Sequence, residues 1–175
     1  MKVEIFDDFL TEYQCQSIDK SLSHSDFPWY FQRDLNGEEL EGNFYFFHLF
    51  WDQRMGNGES QYLPVVLPII DKLGVPLSKV RRIKANLSTR TQRIYHHKRH
   101  YDYPPNSPWV SVCYYVNSTN GPTVFDIDRW RKRKVKGKRN RLARFDGSYG
   151  HHSTSPTNAN YRITINIDYE KCLNN

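Results

Sequence analysis

Apolar and polar residues alternate along most of the second half of this chain and follow a helical period in two stretches of the first half. Val3-Glu4-Ile5-Phe6 alternates as a short strand and closes on Asp7-Asp8. Thr11-x-x-Gln14 has the form of a capping box, and Cys15, Ile18 and Leu22 behind it make one apolar helix face. Phe27-Pro28-Trp29-Tyr30 is an aromatic cluster whose proline interrupts regular structure. The aromatic run 44–51 is a dense strand candidate, and Met55-Gly56-Asn57-Gly58 is turn material. A second helix is predicted over 62–73, where Leu63, Val66, Leu67 and Ile70 fall at i, i+3, i+4 and i+7. Gly74 is its expected stop, and Pro68 inside it should kink it or delay its start.

From Arg82 onward strand candidates follow quickly, at 82–88, 93–102, 109–116, 123–127, 133–136, 141–146 and 161–169. Turn-forming runs separate several of them, notably 104–108, 117–122 and Asp146-Gly147. Two helices followed by many short strands predict a mainly β, α+β domain, a barrel or double-sheet jelly roll with N-terminal helices packed on one sheet. Residues 1–175 read as a single domain, with helical support over about 1–80 and a β-core over about 81–170. In 161–169, Ile163, Ile165 and Ile167 share one face while Arg162, Thr164, Asn166 and Asp168 share the other. That polar row is either solvent-facing surface or the lining of a polar cavity. In 110–116, Val110, Val112, Tyr114 and Val116 oppose Ser111, Cys113 and Tyr115.

Composition changes this picture in three ways. The mean hydropathy is -0.78 and no apolar run approaches the roughly 20 residues of a membrane span. The N-terminus carries acids where a signal peptide is apolar, so the expectation is a soluble, cytoplasmic protein. Three cysteines (Cys15, Cys113 and Cys172), with no Cys-x-x-Cys, argue for reduced thiols and against a zinc ribbon. The net charge of +6 is local: residues 129–144 hold ten of the 25 Lys and Arg and no acid. That block, with Trp130 in it, is either a solvated basic hairpin with Gly137 near its tip or a surface for nucleic acid or an acidic protein.

The sharpest chemical candidate is His100-Tyr101-Asp102. In a strand, residues i and i+2 point the same way, so one imidazole and one carboxylate would project together. A second histidine from the His151-His152 pair would complete two nitrogens and one oxygen on one side of a metal. The opposite side is then open, as expected for non-haem Fe(II) oxygenases. His96 and His97 read as surface residues or helpers of this group.

These residues sit within a wider resemblance. His100-Tyr101-Asp102 is followed by Tyr114-Tyr115-Val116-Asn117, Gly121-Pro122-Thr123-Val124-Phe125 and Asn140-Arg141. Phe145-Asp146-Gly147, His151-His152 and Tyr161-Arg162-Ile163-Thr164-Ile165-Asn166 complete the series. In that order the segments resemble the 2-oxoglutarate- and Fe(II)-dependent dioxygenases, most closely the prolyl-4-hydroxylase-like branch and its small phage-encoded members. The resemblance implies a double-stranded β-helix (jelly roll) and an oxidoreductase that hydroxylates a peptidyl side chain, with prolyl as the first choice, while 2-oxoglutarate is converted to succinate. It implies iron ligation by His100, Asp102 and His151, with His152 as the alternate. Arg162 would pair with the distal carboxylate of 2-oxoglutarate, supported by Thr164 and Tyr115. Fe(II), 2-oxoglutarate and O2 are the implied cofactors, with ascorbate as an auxiliary. The implied location is the cytoplasm, or the host cytoplasm for a phage protein. Asp102 favours hydroxylation, because halogenating relatives lack that carboxylate. The Gly121-Pro122 pair departs from the family's Gly-Gly.

Overall fold

The capping box at Thr11 forms. In the computed structural model, which describes residues 2–35, 38–39, 44–55, 59–128 and 130–171, the Gln14 N–H donates to Thr11 Oγ1 at 3.3 Å. The Thr11 N–H donates back to Gln14 Oε1 at 3.1 Å. Strand β1 (Glu4–Phe6) leads into this helix, α1 (Glu12–Leu22). There follow β2 (Tyr30–Gln32), β3 (Asp34–Leu35), β4 (Glu38–Glu39), β5 (Tyr45–Asp52) and α2 (Leu63–Leu73). Helix α2 runs through Pro68 and begins with a second proline, Pro64, in its first turn, where no N–H partner is needed. Gly74 ends it in the left-handed conformation, at φ 67°. The turn expected at 55–58 lies mostly outside the described residues, as does Cys172.

The remaining strands are β6 (Val80–Thr89), β7 (Trp109–Tyr115), β8 (Thr119–Asp126), β9 (Lys132–Gly137), β10 (Arg141–Asp146), β11 (His151–His152) and β12 (Tyr161–Glu170). A seven-stranded antiparallel sheet has the order β1-β10-β7-β12-β6-β5-β2, and a smaller sheet has the order β11-β8-β9. Cys113, Tyr115, Phe125, Val135, Ala143 and Phe145 cluster where the two sheets face each other. On the other side of the large sheet, Val112, Tyr114, Ile163, Ile165 and Ile167 pack against Ile18 and Leu22 of α1 and Val66, Ile69 and Ile70 of α2. The helices therefore cover one face of the large sheet. The opposite polar face of β12 is turned inward, toward a cavity.

Three expectations need correction. Residues 93–102 are not a regular strand: isolated bridges join only His96 to Thr154 and His100 to His151. The reason is local, since the segment pairs with 151–155 through scattered bonds such as His97 N–H to Ser153 O at 3.1 Å. The run 117–122 is not simply a turn, because β8 starts at Thr119 and passes through Gly121 and Pro122 with a register shift before Thr123. Gly121 is required there, since a Cβ would lie 2.8 Å from the carbonyl oxygen of Ser155. Finally, β9 and β10 do not form a hairpin projecting into solvent. β9 pairs with β8 in the small sheet, while β10 lies between β1 and β7 in the large one. Val135, Ala143 and Phe145 are buried between the sheets and Leu142 on the helix side of the large sheet, and they hold the two strands there.

Candidate active site

His100 and His151 are joined by a reciprocal backbone pair, each N–H donating to the other's carbonyl at 3.0 Å. This brings their rings to a centroid distance of 4.5 Å. Asp102 is held by its own N–H, which donates to Gly147 O at 3.1 Å. Its carboxylate then reaches both imidazoles, with Oδ1 at 3.8 Å from His100 Nε2 and Oδ2 at 3.6 Å from His151 Nε2. One ligand atom from each of the three lies within 4.8 Å of the others.

The tautomers are set from behind. His151 Nδ1 lies 2.9 Å from the Tyr149 carbonyl, and His100 Nδ1 lies 3.2 Å from that of Lys98. A carbonyl accepts only from a protonated nitrogen, so the Nε2 lone pairs are left facing Asp102. Phe145 and Phe125 pack on the His151 ring at 4.9 and 5.7 Å. Two atoms that both bind one ion at about 2.1 Å cannot be more than about 4.2 Å apart. Both carboxylate–imidazole separations meet that limit, and two nitrogens with one oxygen suit a divalent transition metal. His152 faces away, with its Nε2 2.9 Å from His96 Nδ1.

The three groups open onto a cavity of about 200 Å³ between the sheets. Arg162, Thr164 and Asn166 of β12 line it, which decides the polar row of that strand in favour of cavity over surface. Arg162 is buried, and its Nε donates to Gly121 O at 3.1 Å while Nη2 donates to Thr123 Oγ1 at 2.8 Å. Among the described residues no carboxylate pairs with this guanidinium. Tyr115 stands behind it rather than in the cavity. The Tyr115 hydroxyl donates to Thr123 Oγ1 at 2.7 Å, and its ring lies 5.6 Å from the guanidinium carbon. Burial raises the Tyr115 hydroxyl far above the usual phenol range, so it is a fixed donor.

Thr123 and the inner face of β6 were not singled out from sequence as site residues, and His97, read as a surface residue or a helper of the metal group, is buried and lines the cavity. Arg82, Lys84, Asn86 and Ser88 alternate with Ile83, Ala85 and Leu87, the same signal that β12 carries. Arg82 Nη2 lies 2.9 Å from Asp168 Oδ2 in an ion pair, and Ser111 donates to Asp168 Oδ1 at 3.0 Å. Burial lowers the Lys84 ammonium to about 8, and the ammonium sits 4.7 Å over the Phe47 ring.

No protein-family model matches the sequence, and no curated protein sequence does. Solved structures do. A prolyl-4-hydroxylase from Pseudomonas putida superposes with a TM-score of 0.65 at 12% identity, over 97% of this chain and 92% of that one. A 2OG-Fe(II) oxygenase-family oxidoreductase from Burkholderia pseudomallei gives 0.66 at 14% identity, over 96% and 84%. The fold is that of the 2-oxoglutarate/Fe(II) oxygenases. A prolyl hydroxylase from Trichoplax adhaerens, in complex with a hypoxia-inducible-factor degradation-domain peptide, gives 0.62 at 18% identity, over 96% and 83%. The jelly roll expected from the strand pattern is thus the one observed.

Proposed function

We propose that this chain is an Fe(II)- and 2-oxoglutarate-dependent oxygenase that hydroxylates a peptidyl, and first of all a prolyl, side chain. The observation that carries the reading is one cavity with a His-Asp-His group at one place and a buried, acid-free arginine at another. His100, Asp102 and His151 would hold the metal from one side through Nε2, carboxylate oxygen and Nε2. Arg162 would pair with the distal carboxylate of 2-oxoglutarate, and Thr164 on the same strand face offers a hydroxyl to it. Tyr115 acts through Thr123, which receives both the phenol and the guanidinium and so fixes the direction of Arg162. Iron, 2-oxoglutarate and O2 supply the oxidising power, with one oxygen atom going to a substrate C–H bond and the other to succinate as CO2 leaves. The protein's part is to orient the reactants and to exclude water, which the apolar packing of Phe125 and Phe145 against His151 serves.

The peptide choice rests on likeness to prolyl hydroxylases and on Tyr101, an aromatic side chain that is 54% exposed and lines the cavity. The nucleic-acid reading of 129–144 loses half of its charge, five of the ten cations, to internal pairs. Arg131, Lys138, Arg139, Arg141 and Arg144 pair with Asp128, Asp7, Glu12, Asp7 and Glu4 respectively. Lys132, Lys134 and Lys136 remain on the exposed face of an edge strand, where lysines also discourage strand addition.

The test is anaerobic Fe(II) titration, then succinate release with 2-oxoglutarate and O2, followed by mass spectrometry of peptide and nucleic-acid pools for a gain of one oxygen. Metal-dependent succinate release that Asp102→Ala abolishes supports the proposal. Stable Fe(II) binding without any 2-oxoglutarate turnover would refute it, and an oxygen gained only by nucleic acid would move the substrate class.

A further inference from the structure

His97 is a buried polar group of the cavity that neither the metal triad nor Arg162 uses. It is 7% exposed, it lines the cavity, and its Nε2 is buried without a hydrogen-bond partner among the described residues. The other end of the ring is fixed: Nδ1 lies 2.7 Å from Ser153 Oγ, and the backbone N–H donates to Ser153 O at 3.1 Å. Burial and the neighbouring Arg162 charge lower this imidazole to about 4, so it is neutral near pH 7.

The chain of contacts locates His97 at the Arg162 end of the cavity. Ser153 is followed by Thr154, whose hydroxyl donates to Pro122 O at 2.7 Å. Pro122 lies between Gly121 and Thr123, the two residues that accept from Arg162. Those bonds spend the Nε hydrogen and one Nη2 hydrogen of the guanidinium on the protein. A carboxylate offers about four acceptor positions, more than the rest of the fork can fill. An unpartnered buried ring nitrogen is costly, and a ligand oxygen in front of it removes that cost.

We infer that His97 is a second anchor for the co-substrate, its Nε2–H donating to the same 2-oxoglutarate carboxylate that Arg162 pairs with. The inference rests on the proposed function of this site. The required tautomer is at hand, because the Ser153 hydroxyl can either donate or accept. When it gives its proton to Nδ1, the ring hydrogen sits on Nε2 and no heavy atom moves. A neutral donor adds direction to the charge that Arg162 supplies.

The experiment is calorimetric titration of 2-oxoglutarate into protein loaded anaerobically with Fe(II), for wild type, His97→Phe and His97→Gln. Iron affinity and thermal midpoint are measured on the same samples. His97→Phe should weaken 2-oxoglutarate roughly 10- to 100-fold, the loss of one hydrogen bond to a charged group, with iron affinity unchanged. His97→Gln should recover most of it, because its amide nitrogen reaches the place of Nε2. Wild-type affinity in His97→Phe overturns the inference while leaving the proposed function intact. No 2-oxoglutarate binding by wild type ends both. Should His97→Phe fail to fold, the imidazole nitrogen resonances of His97 in Zn(II)-loaded wild type decide: protonation at Nε2 on adding 2-oxoglutarate supports the anchor, and unchanged resonances overturn it.

Discussion

His151 and His152 are adjacent, both buried, and point to opposite sides of a two-residue strand. Only His151 has its Nε2 directed at Asp102, while His152 is spent on His96. Replacing His151 by Ala should therefore lower Fe(II) affinity by more than the roughly 100-fold known for losing a supporting residue. His152→Gln should leave it nearly unchanged, and equilibrium dialysis under argon distinguishes the two. The reverse ranking would put the metal on the other face of the small sheet. Arg162→Lys is a second contrast: it keeps the charge but gives up the planar fork. Its expected result is 2-oxoglutarate binding weakened about 10-fold or more, with iron binding intact. These residues were legible because period-two alternation and the His-x-Asp spacing survive in the sequence. His97 was not, because its orientation is set by Ser153, far away along the chain, and no local pattern carries that information.

At the level of elements, the N-terminal segment is tied down by the turn between β9 and β10. Asn140 sits there at φ 61°, a left-handed conformation that asparagine tolerates better than most residues. Its side chain accepts from the Leu10 N–H at 2.8 Å and donates to Leu10 O at 2.9 Å, while Tyr114 donates to its Oδ1 at 3.1 Å. Asn140→Ala would leave both Leu10 backbone groups unsatisfied and force an alanine into that conformation. The expected cost is about 2–4 kcal/mol, read as a lower denaturant midpoint with an unchanged slope. A change below about half a kcal/mol would mean that the segment is held by its ion pairs instead. Those pairs also change the reading of the basic block. A run of cations in sequence shows its own charge but not the acids at Glu4, Asp7 and Glu12 that the fold brings against it.

Across the whole molecule, the two sheets and two helices follow from alternation and helical period, which fix what each face buries. What those patterns do not encode is the polar cavity between the sheets, since its depth depends on how β6, β12 and 93–102 curve around it. Enclosing imidazoles in that region has a consequence for stability. Burial lowers His97 and His152 from 6.5 to about 4 in each case, and it lowers His100 as well. For His152 the neighbouring charges of His96 and Lys132 act in the same direction, against a partial offset from Asp126. A depressed histidine leaves the unfolded chain as the better proton acceptor, so stability is whole above pH 6.5 and declines as pH falls toward 4. The carboxylates that arginine and lysine partners hold low, such as Glu4 and Asp7, start from 4.5 and 3.8 and act below that window. In metal-free protein the unfolding free energy should thus drop by about 2 kcal/mol per pH unit near pH 5.5, a little over 1 for each of His97 and His152. His152→Gln should cut that slope roughly in half. Urea unfolding at closely spaced pH values measures it, and a stability that stays flat from pH 6.5 to 5 would mean that water reaches these rings in the folded protein.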